Sequence, residues 1–459
     1  MELTVSVSGE ETKLILINTA QDGVDSGKDE YQLVDAESRE PLIKLSYSKG
    51  LLDIIHKSPL ITTPSEVLDE MLDEFALQLL ESKQKGTESS ESDEEEFSTP
   101  YNPDTIRVET KNFSLRQIFD MIETNDIDLT PDYQRNFVWD SYRKSRLIES
   151  ILLRIPLPVF YFSQDEDGRI NVVDGLQRLT TIVDFMRNKL RLRKLEYLRN
   201  CEGKFYKKDS PTDDNPVIDS KYFRWFNMTQ ITVNIIDPQS PSEVKYDIFR
   251  RINTGGKPLN GQEIRNCIAS PALRSLLRQM SKLPSFTSAT LGSVKDTRME
   301  AQELALRFIA FHKLFSKDAK LSHYSGNMDS TLNQLVDELS RLKDVEIEKY
   351  IPLYDTALRN ASHLFGEYAF RKTLINHVHP GAYRQLINKA LFVSWTVLLS
   401  DFPTEIANQR LPFQSLARPL ATEITNNPEL FSMLTYSTNA KANLVYAFEV
   451  ADRLINSYL

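Results

Sequence analysis

Residues 170–185 read INVVDGLQRLTTIVDF, and they restrict the possible folds more than any other stretch of the chain. The apolar run ending at Val173 suits a strand, Asp174 and Gly175 a tight turn, and the residues from about Gln177 a helix. Gly175 lets the backbone adopt a turn that a side chain would obstruct. Amides in the first turn of a helix lack internal partners and lie at the positive end of its dipole, an arrangement that takes up anions and phosphates above all. Arg178, Thr180 and Thr181 would add a guanidinium and two hydroxyls nearby. A plain strand–turn–helix corner with an exposed arginine has the same pattern, so the turn alone leaves both readings open.

Two further segments carry chemistry in the same style. PDYQRNFVWD, residues 131–140, places Tyr133, Gln134, Arg135 and Trp139 in one short loop: rings, an amide and a cation that a base or a phosphate could use. Read alone, it is equally a loop pinned by buried Tyr133 and Trp139. YDIFRRINTGGKPLNGQEIRN, residues 246–266, ends a helix in Asn253-Thr254-Gly255-Gly256 and starts another at Asn260, with Glu263 completing a capping box. Arg250, Arg251 and Lys257 flank that glycine loop, a second arrangement suited to anions.

Charge divides the 459-residue chain. Its net charge is −10, yet residues 1–100 hold 23 acids against 8 bases, so the remainder carries a small positive excess and a nucleotide or nucleic acid is not excluded as its partner. Residues 2–48 contain short alternating runs that suit strands, and a helix is expected after Pro64 with Val67, Met71, Phe75, Leu77 and Leu80 as its apolar stripe. Six acids then fall between Glu88 and Glu96 without one aliphatic residue, the composition of a flexible linker.

Beyond it, Ser114 and Gln117 form a capping box, a helix starts at Asp140, and 158–162, 169–173 and 230–237 suit strands. From about residue 270 the pattern is helical. The expected organisation is a small β-plus-helix module over 1–82, an acidic linker over 83–105, a mixed domain over 106–270 and a helical domain over 271–459. Two cysteines, Cys201 and Cys267, make no disulfide framework or zinc site. The start of the chain has no signal-peptide pattern, and the apolar stretch 390–399 is too short to span a bilayer, so the expectation is a cytoplasmic protein without membrane contact.

Together the three segments resemble a known family. DGLQRLTTI is similar to a DGQQR–LTT signature, PDYQRNFVW to a YQR–x–x–VW signature, and FRRINTGGKPLNGQEIRN to an N-TGG–L–QE-RN signature, in the family's order. All belong to the ParB/sulfiredoxin-like domain at the amino end of GmrSD-type restriction enzymes; the likeness runs from about 105 to 400. Leu176 departs from it, standing where the family usually has glutamine.

The resemblance implies an α+β fold: a ParB-like nucleotide-binding domain, then a mostly helical one, with the β-rich module in front. It also implies an NTP held with Mg²⁺, often hydrolysed, in prokaryotic defence. Asp174, Gln177 and Arg178 would be the catalytic residues. Tyr133, Gln134, Arg135, Asp174, Gly175, Arg178, Thr180, Thr181, Asn253, Gly255 and Gly256 would bind the nucleotide. Sulfiredoxin chemistry needs a cysteine in the turn, and 174–178 has none.

Full GmrSD proteins also carry an HNH nuclease, which needs histidines on a compact ββα unit. Of the six histidines here only His377 and His379 are close, in a segment that reads as a helix end, so the effector nuclease is expected to be encoded separately. Arg371 and His377 match the loose spacing of HEPN ribonucleases, a match that chance supplies easily.

Finally, 187–208 carries nine bases and two acids with leucines interleaved. It suits a surface helix whose Arg187, Lys189, Arg191, Arg193, Lys194 and Arg199 face outward, either solvated or against a phosphate backbone. Two other function classes therefore stand beside the NTPase: a DNA-sensing adaptor without turnover, and a DNA-nicking endonuclease.

Overall fold

The computed structural model describes residues 2–18, 29–36, 38, 40–48, 51–88, 106–129, 139–165, 167–207, 216–240, 242–252, 259–318, 320–379, 382, 384–404 and 411–458. These divide into two units, one formed by residues 1–96 with 270–459 and the other by 97–269. Helices and two sheets make it a mixed α+β protein.

The first unit opens with an antiparallel meander of β1 (Glu2–Val7), β2 (Glu10–Asn18), β3 (Asp29–Asp35), β4 (Pro41–Ser48) and β5 (Leu51–Lys57) in that spatial order. Helix α1 (Ser65–Lys85) follows Pro64 and packs on the sheet. Its stripe differs from expectation. Leu68, Leu72, Phe75, Ala76 and Leu79 are the buried positions, whereas Val67 and Leu77 are exposed. The spacing 68, 72, 75, 79 is the regular helical one; the expected set shares only Phe75 and the half-buried Met71 and Leu80 with the packed face.

The second unit contains β6 (Val108–Ser114), α2 (Leu115–Glu123), β7 (Ile127–Asp128), α3 (Ser141–Leu152), β8 (Phe160–Gln164), β9 (Ile170–Asp174), α4 (Leu176–Met186), α5 (Ser220–Met228), β10 (Gln230–Ile236), α6 (Ser242–Ile252) and α7 (Gly261–Ile268). Both expected caps are present: the Ser114–Gln117 box opens α2, and Asp140 accepts from the Arg143 amide at 2.7 Å to open α3. The strands order as β6-β10-β8-β9-β7, with β8 and β9 an antiparallel hairpin and β10 parallel to β8. Phe160, Phe162, Val172, Leu179, Ile182 and Phe185 lie in its core. Leu176 is buried there too, which accounts for an apolar residue at that position.

Residues 187–207 do not continue α4 as a helix. Asn188 and Lys194 have positive φ (57° and 53°), Leu192 pairs with Gly203 and Lys204 through backbone bonds, and one short 3₁₀ turn covers Arg199–Cys201. Leu190, Leu192 and Leu195 are buried while the cations between them point out. Glu149 on α3 holds the segment from beneath: its carboxylate accepts the amides of Glu196, Tyr197 and Leu198 at 3.1, 2.7 and 2.8 Å.

The first unit resumes with α8 (Pro271–Ser281), α9 (Pro284–Thr290), α10 (Glu300–Lys317), α11 (Met328–Ser340), α12 (Asp344–Glu348), α13 (Tyr350–Phe365), α14 (Lys389–Leu399), α15 (Ala417–Asn426), α16 (Pro428–Met433) and α17 (Lys441–Tyr458). Helix α14 is buried along its whole length, as its apolar sequence requires. No helix among the described residues is long and apolar enough to cross a membrane. Arg371 is buried and donates to the carbonyls of Glu367, Gln385 and Thr290, a structural role.

Residues 83–88, placed at the start of the expected linker, are part of this unit. Helix α1 runs through Lys85, Gly86 caps it at φ 80°, and the next two residues are anchored among the helices. Thr87 is buried and donates to Glu300 at 2.6 Å; Asn388 donates to Glu88 at 2.6 Å. A Cβ on Gly86 would lie 1.9 Å from the Ser293 carbonyl oxygen. Beneath Thr87, the buried Lys389 is paired with Glu300 at 2.8 Å and Glu303 at 3.1 Å. The acidic run beyond Glu88 lies outside the described residues.

Candidate functional site

The turn expected to bind phosphate forms as the sequence suggests. β9 ends at Asp174, Gly175 adopts φ 98°, and α4 begins at Leu176. Gly175 occupies the N-cap position and has no side chain with which to cap the helix. The glycine is required twice, by its φ and by space: a Cβ there would lie 2.3 Å from the Phe160 ring.

Arg178 turns back rather than outward. Its Nη2 donates to Asp174 Oδ2 at 2.6 Å and to the Val159 carbonyl at 3.2 Å, Nη1 donates to the Pro158 carbonyl, and the guanidinium lies 4.2 Å from the Phe160 ring centre. The side chain is 12% exposed. Burial pushes its pKa below the ordinary arginine value, and the Asp174 carboxylate offsets part of that. This set of contacts fixes the turn against the chain entering β8. Asp174 remains partly exposed, at 34% of its side-chain surface.

The other turn residues divide by face. Gln177 accepts from the Trp139 amide at 3.4 Å, linking the turn to the tryptophan of the 131–140 segment. Thr180 is half-buried. Thr181 is buried, with its hydroxyl donating to the Gln177 carbonyl at 2.7 Å, so it faces the core and not the turn surface.

Tyr133, Gln134 and Arg135 lie outside the described residues, as do Asn253, Gly255 and Gly256. Trp139 reaches Gln177, while α6 and α7, which precede and follow the NTGG segment, both pack against β9.

Helix α7 carries a feature that the sequence reading did not assign to the site. Gln262, Glu263, Arg265 and Asn266 are all buried, at 1, 5, 2 and 1% exposure. Such residues are ordinarily found at the surface. The signal in the sequence was the density of polar residues in NGQEIRN, read there only as a helix cap. That cap is present: the Glu263 amide donates to Asn260 and the Asn260 amide to Glu263, each at 2.8 Å.

The cationic strip is on the same unit. Arg187, Lys189, Arg191, Arg193, Lys194 and Arg199 are all exposed. Arg187 pairs with Glu123 at 2.6 Å. Among the described residues no carboxylate pairs with the side chains of the other five. No group of three or more His, Cys, Asp or Glu side chains suited to a metal ion occurs among the described residues.

Residues 115–270 match the family model of the GmrSD restriction endonuclease, N-terminal domain. No curated protein and no solved structure gave a match. The matched span runs from the first residue of α2 past the end of α7, and so takes in the β9–α4 turn and the buried polar helix. Over these residues the chain is similar to a GmrSD-type N-terminal domain.

Proposed function

We propose that this GmrSD-type domain is a ParB-like nucleotide site, and that the chain binds and hydrolyses an NTP with Mg²⁺ as part of a prokaryotic restriction or anti-phage system, acting with an effector nuclease encoded elsewhere. What supports the reading is the β9–Gly175–α4 turn, whose Gln177 accepts from the Trp139 amide and whose strand is packed by α6 and α7. The amides of Leu176, Gln177 and Arg178 would hold the phosphates. Arg178 would act as a positioning residue, because its guanidinium is engaged by Asp174 and two carbonyls. Asp174 fits a cation shared with the triphosphate: one part-exposed carboxylate beside phosphate oxygens is a common Mg²⁺ environment. Mg²⁺ would neutralise developing charge on the phosphates. Gln177, which accepts from the Trp139 amide, would align water.

The test is binding of, and phosphate release from, ATP, GTP, CTP and UTP, comparing wild type with Arg178→Ala. We expect one or more to be bound and cleaved, and the variant to lose both as the turn loses its brace. Failure of the wild type to bind any of them would sink the proposal.

A second reading, DNA contact without turnover, is favoured by one observation: five exposed cations of the 189–199 strip lack carboxylate partners among the described residues. Binding of that kind would be independent of sequence and steeply salt-dependent. Salt-dependent DNA binding together with nucleotide binding but no phosphate release would select it.

A further inference from the structure

Gln262 is nearly inaccessible, and its Oε1 accepts from Arg265 Nη1 at 3.4 Å, while its Nε2 has no hydrogen-bond partner. The amide cannot be turned over to hide this, because Nε2 would then face a guanidinium, donor against donor. A buried donor without an acceptor loses its hydration with nothing in return, so such groups are rare in folded proteins and call for a reason. The group lies on α7, which packs against β9, the strand that ends in Asp174 and Gly175. Beside it is Arg265, a buried cation.

We infer that Gln262 is a ligand-contacting residue of the same site, its Nε2–H donating to a phosphate oxygen of the bound nucleotide, with Arg265 holding the amide in that orientation. The inference rests on the nucleotide reading above and adds to it a contact from α7. A phosphate oxygen, rather than a neutral carbonyl, suits a donor set next to a buried cation and the amide end of a helix.

The experiment measures affinity for the NTP that wild type binds tightest of the four, and for inorganic tripolyphosphate, each with Mg²⁺. Wild type is compared with Gln262→Leu and Gln262→Glu, alongside the melting temperature of each unliganded protein. Loss of a hydrogen bond to a charged group predicts about 10- to 100-fold weaker binding of both ligands by Gln262→Leu. The leucine variant loses the unpartnered donor but also the acceptor of the buried Arg265, so its unliganded melting temperature serves to confirm that it folds. Gln262→Glu should bind both ligands at least as weakly, because a carboxylate would face the phosphate. Should either variant fold poorly, Gln262→Met, unbranched and close in volume, gives the same comparison.

Wild-type and variant affinities within twofold of each other would overturn the inference while leaving the nucleotide reading intact. Weakened NTP binding with unchanged tripolyphosphate binding would overturn the phosphate assignment in favour of a base contact. No NTP binding by wild type overturns both.

Discussion

At Gly175 a backbone requirement and a packing requirement fall on one atom. The residue sits at φ 98°, where a side chain is strained, and a Cβ would press into the Phe160 ring at 2.3 Å. That ring is also the surface on which Arg178 lies, so displacing it disturbs the brace between Asp174 and the Pro158 and Val159 carbonyls. Strain and overpacking each cost about 1–3 kcal/mol, so Gly175→Ala should lose roughly 2–4 kcal/mol in urea unfolding. Adding Phe160→Leu to that variant should recover the packing part alone. Full recovery would show that φ strain contributes nothing here. The glycine itself was legible from DGLQR. Its partner ring was not, because Phe160 is fifteen positions away and only the β8–β9 hairpin brings the two together.

For the 187–207 segment the element-scale lesson is that leucines among cations do not make a helix. The backbone bends at Asn188 and Lys194, and the amides of 196–198 go to Glu149 instead of to carbonyls four residues back. Burial works against the Glu149 charge, but the three amides and Arg146 outweigh it and hold the carboxyl below its ordinary value of 4.5. A depressed folded-state value means stability that is present above 4.5 and lost as pH falls through the lower value. Glu149→Gln should therefore lower stability at pH 7 by about 1–3 kcal/mol and flatten the acid side of its stability–pH curve. Hydrogen exchange at 196–198 should quicken in the same variant; unchanged exchange there would disprove the pinning role.

Elements with local signals were readable in advance: the two capping boxes, the Asp140 cap, the hairpin strands and the buried α14. What depended on a distant partner was not. The phase of α1 is set by the sheet it covers, and the strip is shaped by a carboxylate some fifty positions earlier.

At the scale of the molecule, residues 86–88 bind the amino-terminal sheet-and-helix segment into the unit that the carboxy-terminal helices complete. Thr87→Val keeps the shape and removes the hydroxyl donor to the buried Glu300, so it should cost about 1–3 kcal/mol in denaturant unfolding. A plain spacer would show no change. Those partners are far along the chain: Glu300 is 213 positions after Thr87, and Asn388 is 300 after Glu88. Ribosomes deliver residues in order, at about 5–20 per second, so roughly 15–60 s separate the emergence of Glu88 from that of Asn388. The GmrSD-type domain is synthesised entirely within that interval. A nascent chain can thus complete its motif-bearing domain before the strap at 86–88 has anything to hold, and the strap closes fully only after residue 388 has been made.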